Sequence, residues 1–229
     1  MSYLNKKLSV EGLSLNDINT LYHEFFHRND YEWYRDVEPD DIVVDIGANV
    51  GFFTCHALDR GASTIYAIEP AKHHLKTLLR NTSDFHIDTG STPVIPIHAA
   101  IGTSIDHIAN VFDNNPDFPL MSFSHCMTKY DISWIDYLKI DCEGGEYDIF
   151  QESNFRFLRE NVGHIAVEFH VNNMYCVEEW IRVRDTMLQK FDTNKIRFLE
   201  HEDREKAFDD ASLWLLDEEW NSFMLYISN

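Results

Sequence analysis

The sequence predicts an α/β fold, a mostly parallel sheet covered by helices on both faces. Two observations carry this. From residue 41 onward, short β-branched runs alternate with amphipathic helical stretches, the pattern of βαβ units. The joints between them are marked by residues suited to helix boundaries, among them Gly47, Gly61 and Pro70. The chain has 229 residues, 44% hydrophobic and 14% aromatic, enough to bury a core, which excludes wholesale disorder.

The elements follow in order. Ser14-Leu15-Asn16-Asp17 reads as a capped helix start. Leu15, Ile18, Leu21, Tyr22, Phe25 and Phe26 then share one helical face, expected to be buried. Residues 1–40 thus form a helical preface or lid, and residues 41–229 the main domain. The first strand is Ile42–Ile46. A helix follows to Arg60, with Gly61 just past its end. Thr64–Ile68 is the second strand, and Pro70 opens a helix with Leu75, Leu78 and Leu79 as its apolar stripe. The third strand candidate is residues 93–97, where Pro96 points to an edge or an interrupted ladder. Residues 135–140 and 164–169 are the fourth and fifth. A helix spans about 172–190 with Met174, Val177, Trp180 or Ile181, and Leu188 inward. Residues 196–199 and 223–227 are the last strands. Residues 102–134 and the acid-rich 200–219 interrupt the alternation. The first is a substrate-side insertion and the second a solvated face.

Charge narrows the partners. Asp and Glu number 39 against 19 Lys and Arg, a formal net charge of −20. Such a field repels phosphate backbones and anionic membranes, so no nucleic acid and no membrane are expected. No signal peptide or bilayer-spanning run is visible. Cys55, Cys126, Cys142 and Cys176 form no Cys-x-x-Cys pair and read as reduced thiols of a cytoplasmic protein.

Three blocks carry the chemistry. In Val43-Val44-Asp45-Ile46-Gly47-Ala48-Asn49-Val50-Gly51, an acid closes a buried strand and a glycine turn opens a helix. Glu69 ends the second strand, 22 residues after Gly47, where an acid can accept hydrogen bonds from a ribose. A dinucleotide site needs Gly-x-Gly-x-x-Gly, but here Asn49 and Phe52 stand at the second and third glycine positions, and Asp45 would repel a pyrophosphate. The pattern favours the cationic S-adenosylmethionine over NAD. The third block, Ile135 to Glu146, ends a strand in Asp141 and Glu143 before Gly144-Gly145. Glu168 and His170 end the fifth strand. Parallel topology brings Asp45, Glu69, Asp141, Glu143, Glu168 and His170 to one sheet edge.

The order Val-Val-Asp-Ile-Gly-Ala-Asn-Val-Gly, Tyr-Ala-Ile-Glu-Pro, then Tyr-Leu-Lys-Ile-Asp-Cys-Glu-Gly-Gly-Glu resembles the FkbM-type methyltransferases over roughly residues 30–170. Asn81 and Ala99-Ala100-Ile101-Gly102 also fit, while Cys142 and Gly145 stand where Val and Ala are expected. The resemblance implies the class I Rossmann-like methyltransferase fold, with a seven-stranded sheet whose last strand is antiparallel. It implies an S-adenosylmethionine-dependent O-methyltransferase acting on a hydroxyl of a saccharide or small metabolite. Asp45, Gly47, Ala48, Asn49 and Gly51 would then hold the methionine portion and shape the turn. Glu69 would bind the ribose, and Pro70 with residues 98–100, Ala99 among them, would lie at the adenine. Asp141 would also border the cofactor. For the general base the candidates are His170, Glu143 and Asp141, with His170 first because its ordinary pKa lies near neutrality. A divalent metal on Asp141, Glu143 and Glu168 is the less favoured route to an acidified hydroxyl. An NAD enzyme and a cofactor-binding module without turnover remain the alternatives.

Other signals rank lower. His23-Glu24-Phe25-Phe26-His27 matches the helical zinc-protease pattern, but His23 and His27 fall away from the apolar stripe, toward solvent. His73 and His74 read as surface residues, and the Met121–Met127 segment as part of the substrate-side insertion. Tyr31, Trp33 and Tyr34 either close over a ligand or pack the preface onto the sheet.

Overall fold

The computed structural model describes residues 8–84, 93–103, 118–171, 174–199 and 222–229. Nine strands are described: β1 (Ile42–Ile46), β2 (Thr64–Ile68), β3 (Val94–Ile97), β4 (Ala100–Ile101), β5 (Leu120–Met121), β6 (Ile135–Ile140), β7 (Val162–His170), β8 (Ile196–Phe198) and β9 (Ser222–Ser228). The α-helices are α1 (Leu15–Tyr22), α2 (Phe52–Arg60), α3 (Lys72–Thr82), α4 (Phe123–Lys129), α5 (Glu146–Ile149), α6 (Phe155–Glu160) and α7 (Met174–Lys190).

Seven strands form one sheet in the order β3-β2-β1-β6-β7-β9-β8, and β4 pairs with β5 apart from it. The first five strands of the main sheet run parallel, and β9 lies antiparallel to both β7 and β8. This is the seven-stranded sheet that the resemblance implied, antiparallel last strand included. Alternation along the central strands divides the core. Val44 and Ile46 face one side with Leu138, Trp180 and Phe223, while Val43, Ile65 and Tyr137 face the other with Phe53, Ala57 and Leu78. Trp180 of α7 packs against Phe169 and Phe223, with ring centroids 5.1 and 4.7 Å away.

β3 is an edge strand, which accounts for Pro96. α3 starts at Lys72, two residues after Pro70, because the Ala71 N–H is held by Glu69 Oε1 at 2.8 Å. Its buried face is Thr77, Leu78, Asn81 and Thr82, while Leu79 is exposed. α7 buries Cys176, Val177, Trp180, Val183 and Met187, so Trp180 is the inward choice and Ile181 and Leu188 face out. The Met174 side chain lies outside the described residues.

Two expectations are corrected. The preface helix buries none of α1; Leu15 is 87% exposed. The helix continues as π-helix from His23 to Arg28, whose i→i+5 bonds shift the phase of the stripe, and contact with the domain comes at Phe25, which stacks on Phe52 of α2 at 6.1 Å between centroids. His23 is exposed, and the side chains of Phe26 and His27 lie outside the described residues. The Met121–Met127 segment is core: Phe123, Cys126 and Met127 recur at helical spacing on α4 and are buried. The rest of that insertion, 104–117, and the acidic segment 200–219 lie outside the described residues. Trp33 and Tyr34 pack on Tyr226 of β9, at 5.6 and 6.4 Å between centroids. Among the described residues no helix is long and apolar enough to cross a membrane.

His164 on β7 is fully buried among the rings of Tyr34, Tyr137 and Tyr226. Its Nδ1 meets Ser228 Oγ at 2.8 Å, and Nε2 has no hydrogen-bond partner among the described residues. Burial, aided by the Arg35 charge, lowers its pKa from 6.5 to about 3. Below pH 6.5 the unfolded chain binds a proton that the folded chain refuses until about pH 3, so acid removes stability across that window. Urea titrations are predicted to show wild type losing stability more steeply than His164→Phe, by up to about 1.4 kcal/mol per pH unit. Equal slopes would show that the imidazole is not buried neutral.

Candidate active site

The carboxyl ends of β1, β2 and β6 and the Ala99–Ile101 segment surround a cavity of about 360 Å³. It lies where the chain, having laid β2 and β3 on one side of β1, returns with β6 on the other. Gly47 is required there. Its φ is +76°, and a Cβ on it would stand 1.7 Å from the Asp141 carbonyl oxygen.

The turn after β1 is closed on itself. Gly47 and Ala48 donate to the Ile68 carbonyl, Asn49 N to Glu69 Oε2 at 2.8 Å, Val50 N to the Asn49 side chain, and Gly51 N to the Ala48 carbonyl. Each N–H from 47 to 51 is engaged, leaving none for a phosphate. Among the described residues no Lys or Arg lines the cavity. Both facts disfavour a pyrophosphate-bearing ligand. Glu69 is fixed facing the cavity by the Asn49 and Ala71 amides, and Pro70, Ala99 and Ile101 add apolar wall.

Gly47, Asn49, Glu69, Pro70, Ala99, Asp141 and Glu143 therefore border one space. Ala48 and Gly51 are buried parts of the turn outside the lining. Asp45 departs from the expected cofactor contact. It is fully buried beneath the floor, where Thr54 Oγ1 donates to Oδ2 at 2.6 Å and Lys139 Nζ lies 3.3 Å from Oδ1. Burial pushes its pKa up, against the pull of Lys139. A strand-end acid whose side chain alternates toward the helix side cannot also face the crevice.

Lys139 ties the floor together. Nζ donates to the Gly47 carbonyl at 2.8 Å and stands 3.5 Å from Asp141 Oδ2. Burial opposes its charge, yet Asp45 and Asp141 outweigh that and raise its pKa. The Asp141 pKa is lowered in turn: burial acts against this, but Lys139 and His170 prevail.

Behind Asp141, the β7 acids and the preface meet. The Tyr31 hydroxyl lies 2.8 Å from Asp141 Oδ2 and 3.0 Å from Glu168 Oε2. Glu24 and Asp30 are near, their pKa values raised to about 7 and about 6, chiefly by burial, with Glu168 adding to both. His170 Nδ1 is 2.9 Å from Glu146 Oε1, and Nε2 stands 3.5 Å from Glu143 Oε2 and 3.9 Å from Asp141 Oδ1. Burial works against the imidazolium, but Glu146, Glu168 and Glu143 raise the His170 pKa well above its ordinary value. Carboxylates around both ring nitrogens favour the imidazolium, which counts against the base role ranked first for it. Burial raises the Glu143 pKa, with His170 opposing. Among the described residues, Asp141, Glu168 and His170 can bring one ligand atom each within 4.8 Å of the others; Glu143 is not in this group, and His170 takes its expected place.

Sequence reasoning missed Tyr31's role, Lys139, Glu146 and His74. Lys139 had a signal: a lysine inside an otherwise apolar strand must find partners. His74 lines the cavity beside Gly12 of the preface, its Nδ1 3.6 Å from Glu69 Oε1. Tyr31 had none beyond its aromatic neighbours, because its contacts span more than a hundred residues.

The profile of the family described as Methyltransferase FkbM domain matches residues 45–204. No curated protein sequence matches significantly. Among solved structures, the chain is similar to Aeropyrum pernix fibrillarin in complex with natively bound S-adenosyl-L-methionine, at 18% identity and TM-score 0.49, over 90% of this chain and 75% of that one. It is also similar to precorrin-6y C5,15-methyltransferase from Geobacter metallireducens, at 10% identity and TM-score 0.47, over 99% and 95%. Such identities leave substrates and residue roles with those proteins.

Removing Lys139 leaves the fully buried Asp45 and the partly exposed Asp141 without their cation. Lys139→Met is predicted to cost about 3–5 kcal/mol in urea unfolding. A cost under about 1 kcal/mol would show that the two acids are not held charged by this ammonium.

Proposed function

The chain belongs to the FkbM methyltransferase family, and on that premise we propose that it moves a methyl group from S-adenosylmethionine to a hydroxyl of a saccharide or small metabolite. The observation that carries the reading is the self-closed turn at 47–51 beside the fixed Glu69 carboxylate. That pairing accepts a ribose and refuses a pyrophosphate. Asp141 is the acid that an ammonium group in the cavity would meet. Pro70, Ala99 and Ile101 offer the apolar face an adenine ring needs. The proposed setting is the cytoplasm, with the four cysteines as free thiols.

When bound, the cofactor supplies a methyl group on a positively charged sulfur. The attacking oxygen forms the new C–O bond as the C–S bond breaks, and the bonding pair leaves with sulfur. The chain's part is to align the hydroxyl and accept its proton. Glu143 suits proton transfer: it lines the cavity, its side chain is 47% exposed, and burial has moved its pKa toward neutrality. Asp141 and His170 hold the adjoining acceptor side. The charge of −20 supports a small acceptor over a nucleic acid.

Calorimetric titration of the purified protein is expected to show micromolar S-adenosylmethionine binding and none of NAD. Glu69→Ala should weaken it by about 10–100-fold through loss of charge-assisted hydrogen bonds. A folded, cofactor-free sample that binds neither ligand would overturn the methyl-transfer reading, and NAD binding alone would return the dinucleotide alternative. With an acceptor in hand, Glu143→Gln is predicted to lower kcat by about 10²–10⁴-fold while leaving cofactor affinity unchanged. Unchanged turnover would remove Glu143 as the base. Cofactor binding with no turnover on any hydroxyl acceptor would favour a binding module.

A further inference from the structure

We infer that Asp141, Glu168 and His170 form a divalent-cation site beside the cofactor cavity, suited to a first-row transition ion such as Mn²⁺. The three side chains come from the carboxyl ends of neighbouring parallel strands and can each place one ligand atom within 4.8 Å of the other two.

The imidazole carries the argument beyond an acidic cluster. His170 is 8% exposed, and Glu146 engages its Nδ1 at 2.9 Å. Glu146 is itself fully buried and fixed by the backbone amides of Cys142 and Gly144. Nε2 is thus the outward nitrogen, 3.9 Å from Asp141 Oδ1 and 3.5 Å from Glu143 Oε2. A carboxylate that sets the tautomer and angle of a histidine is the support metal-ligating imidazoles use. Tyr31 gives a second, independent sign. Its hydroxyl has one proton but lies within hydrogen-bond distance of both Asp141 and Glu168. Two carboxylate oxygens share one proton there, and among the described residues it is the Asp141 oxygen that also meets Lys139 Nζ, at 3.5 Å. Ser222 Oγ, 2.6 Å from Glu168 Oε1, holds the other oxygen of that carboxylate in place.

The donor set names the ion class. One imidazole nitrogen with two carboxylate oxygens favours Mn²⁺, Fe²⁺, Co²⁺ or Zn²⁺ over Mg²⁺ or Ca²⁺, which prefer oxygen alone. Three protein ligands leave coordination positions open. On the methyl-transfer reading, an acceptor hydroxyl taking one of them would be acidified next to the cavity that Asp141 and Glu143 line, its proton passing to Glu143.

The test uses the full chain, stripped with chelator and free of S-adenosylmethionine, so that it stands apart from the cofactor reading. Titration with Mn²⁺, followed by the paramagnetic resonance signal of the free ion, is expected to show one saturable site per chain. Glu168→Gln should weaken it at least about 10-fold, and Glu146→Gln about 10–100-fold. Tyr31→Phe should keep it. Spin-echo modulation of the bound Mn²⁺ should show a coupled nitrogen that disappears in His170→Gln. Glu168→Gln keeps the shape of a partly exposed side chain, so it decides the matter if Glu146→Gln fails to fold. Absence of saturable binding, wild-type affinity in Glu168→Gln, or bound Mn²⁺ with no coupled nitrogen would each overturn the site.

Discussion

The pairing of Lys139 with Asp45 and Asp141 is the constraint on which the site rests. Among the described residues Lys139 is the one buried Lys or Arg, and its ammonium joins three things: an acid from β1, an acid from β6, and the carbonyl of Gly47. Without it the fully buried Asp45 would meet the cost of desolvation unpaired, and the partly exposed Asp141 would lose its nearest described ammonium. With it, the ends of β1 and β6 are drawn to a single depth, and Gly47 passes so close to Asp141 that no side chain fits between them. The turn that shapes the cavity and the acid that borders it are therefore positioned by one charge.

From that junction the acids sort into distinct environments. Asp45 lies under the floor, Glu69 is fixed by backbone amides at the far wall, and Asp141 stands between cavity and cluster. Glu143 is the most open of them, at a left-handed φ of 55°. Separate environments for like groups are how a fold assigns different tasks to the same chemistry. The preface joins the arrangement at both ends. Tyr31 reaches Asp141 and Glu168, while the Asn81 side chain donates to the Ser9 and Val50 carbonyls and so couples segment 8–12 to the turn after β1.

Strand positions were legible because their residues alternate or run apolar over a fixed short length, and β6 was read to the residue. Glu69 and the glycine turn were legible because they depend on sequence-local geometry. What could not be read depends on phase and on distant partners. The preface stripe looked buried, yet a π-turn changes which residues share a face, and nothing local announces it. Asp45 and Glu69 both end strands, but only pleat direction and the place of Lys139 decide that one is a floor support and the other a wall. His170 looked like a base from its ordinary pKa; the buried Glu146, 24 residues away in the chain and bonded to its Nδ1, is visible only in three dimensions. Residues 121–127 read as part of the insertion because they fall within the mixed stretch 102–134, whereas Phe123, Cys126 and Met127 are spaced as a core helix.

The edge strand β3 has a further consequence. Pro93 and Ile97 carbonyls accept from β2, so the alternation turns the nitrogen of Pro96 to the outer side of the sheet. A strand from a second molecule, seeking to extend the sheet there, would find a missing donor and a ring in its path. Pairing of a second chain along that border is thus disfavoured by a single imino acid.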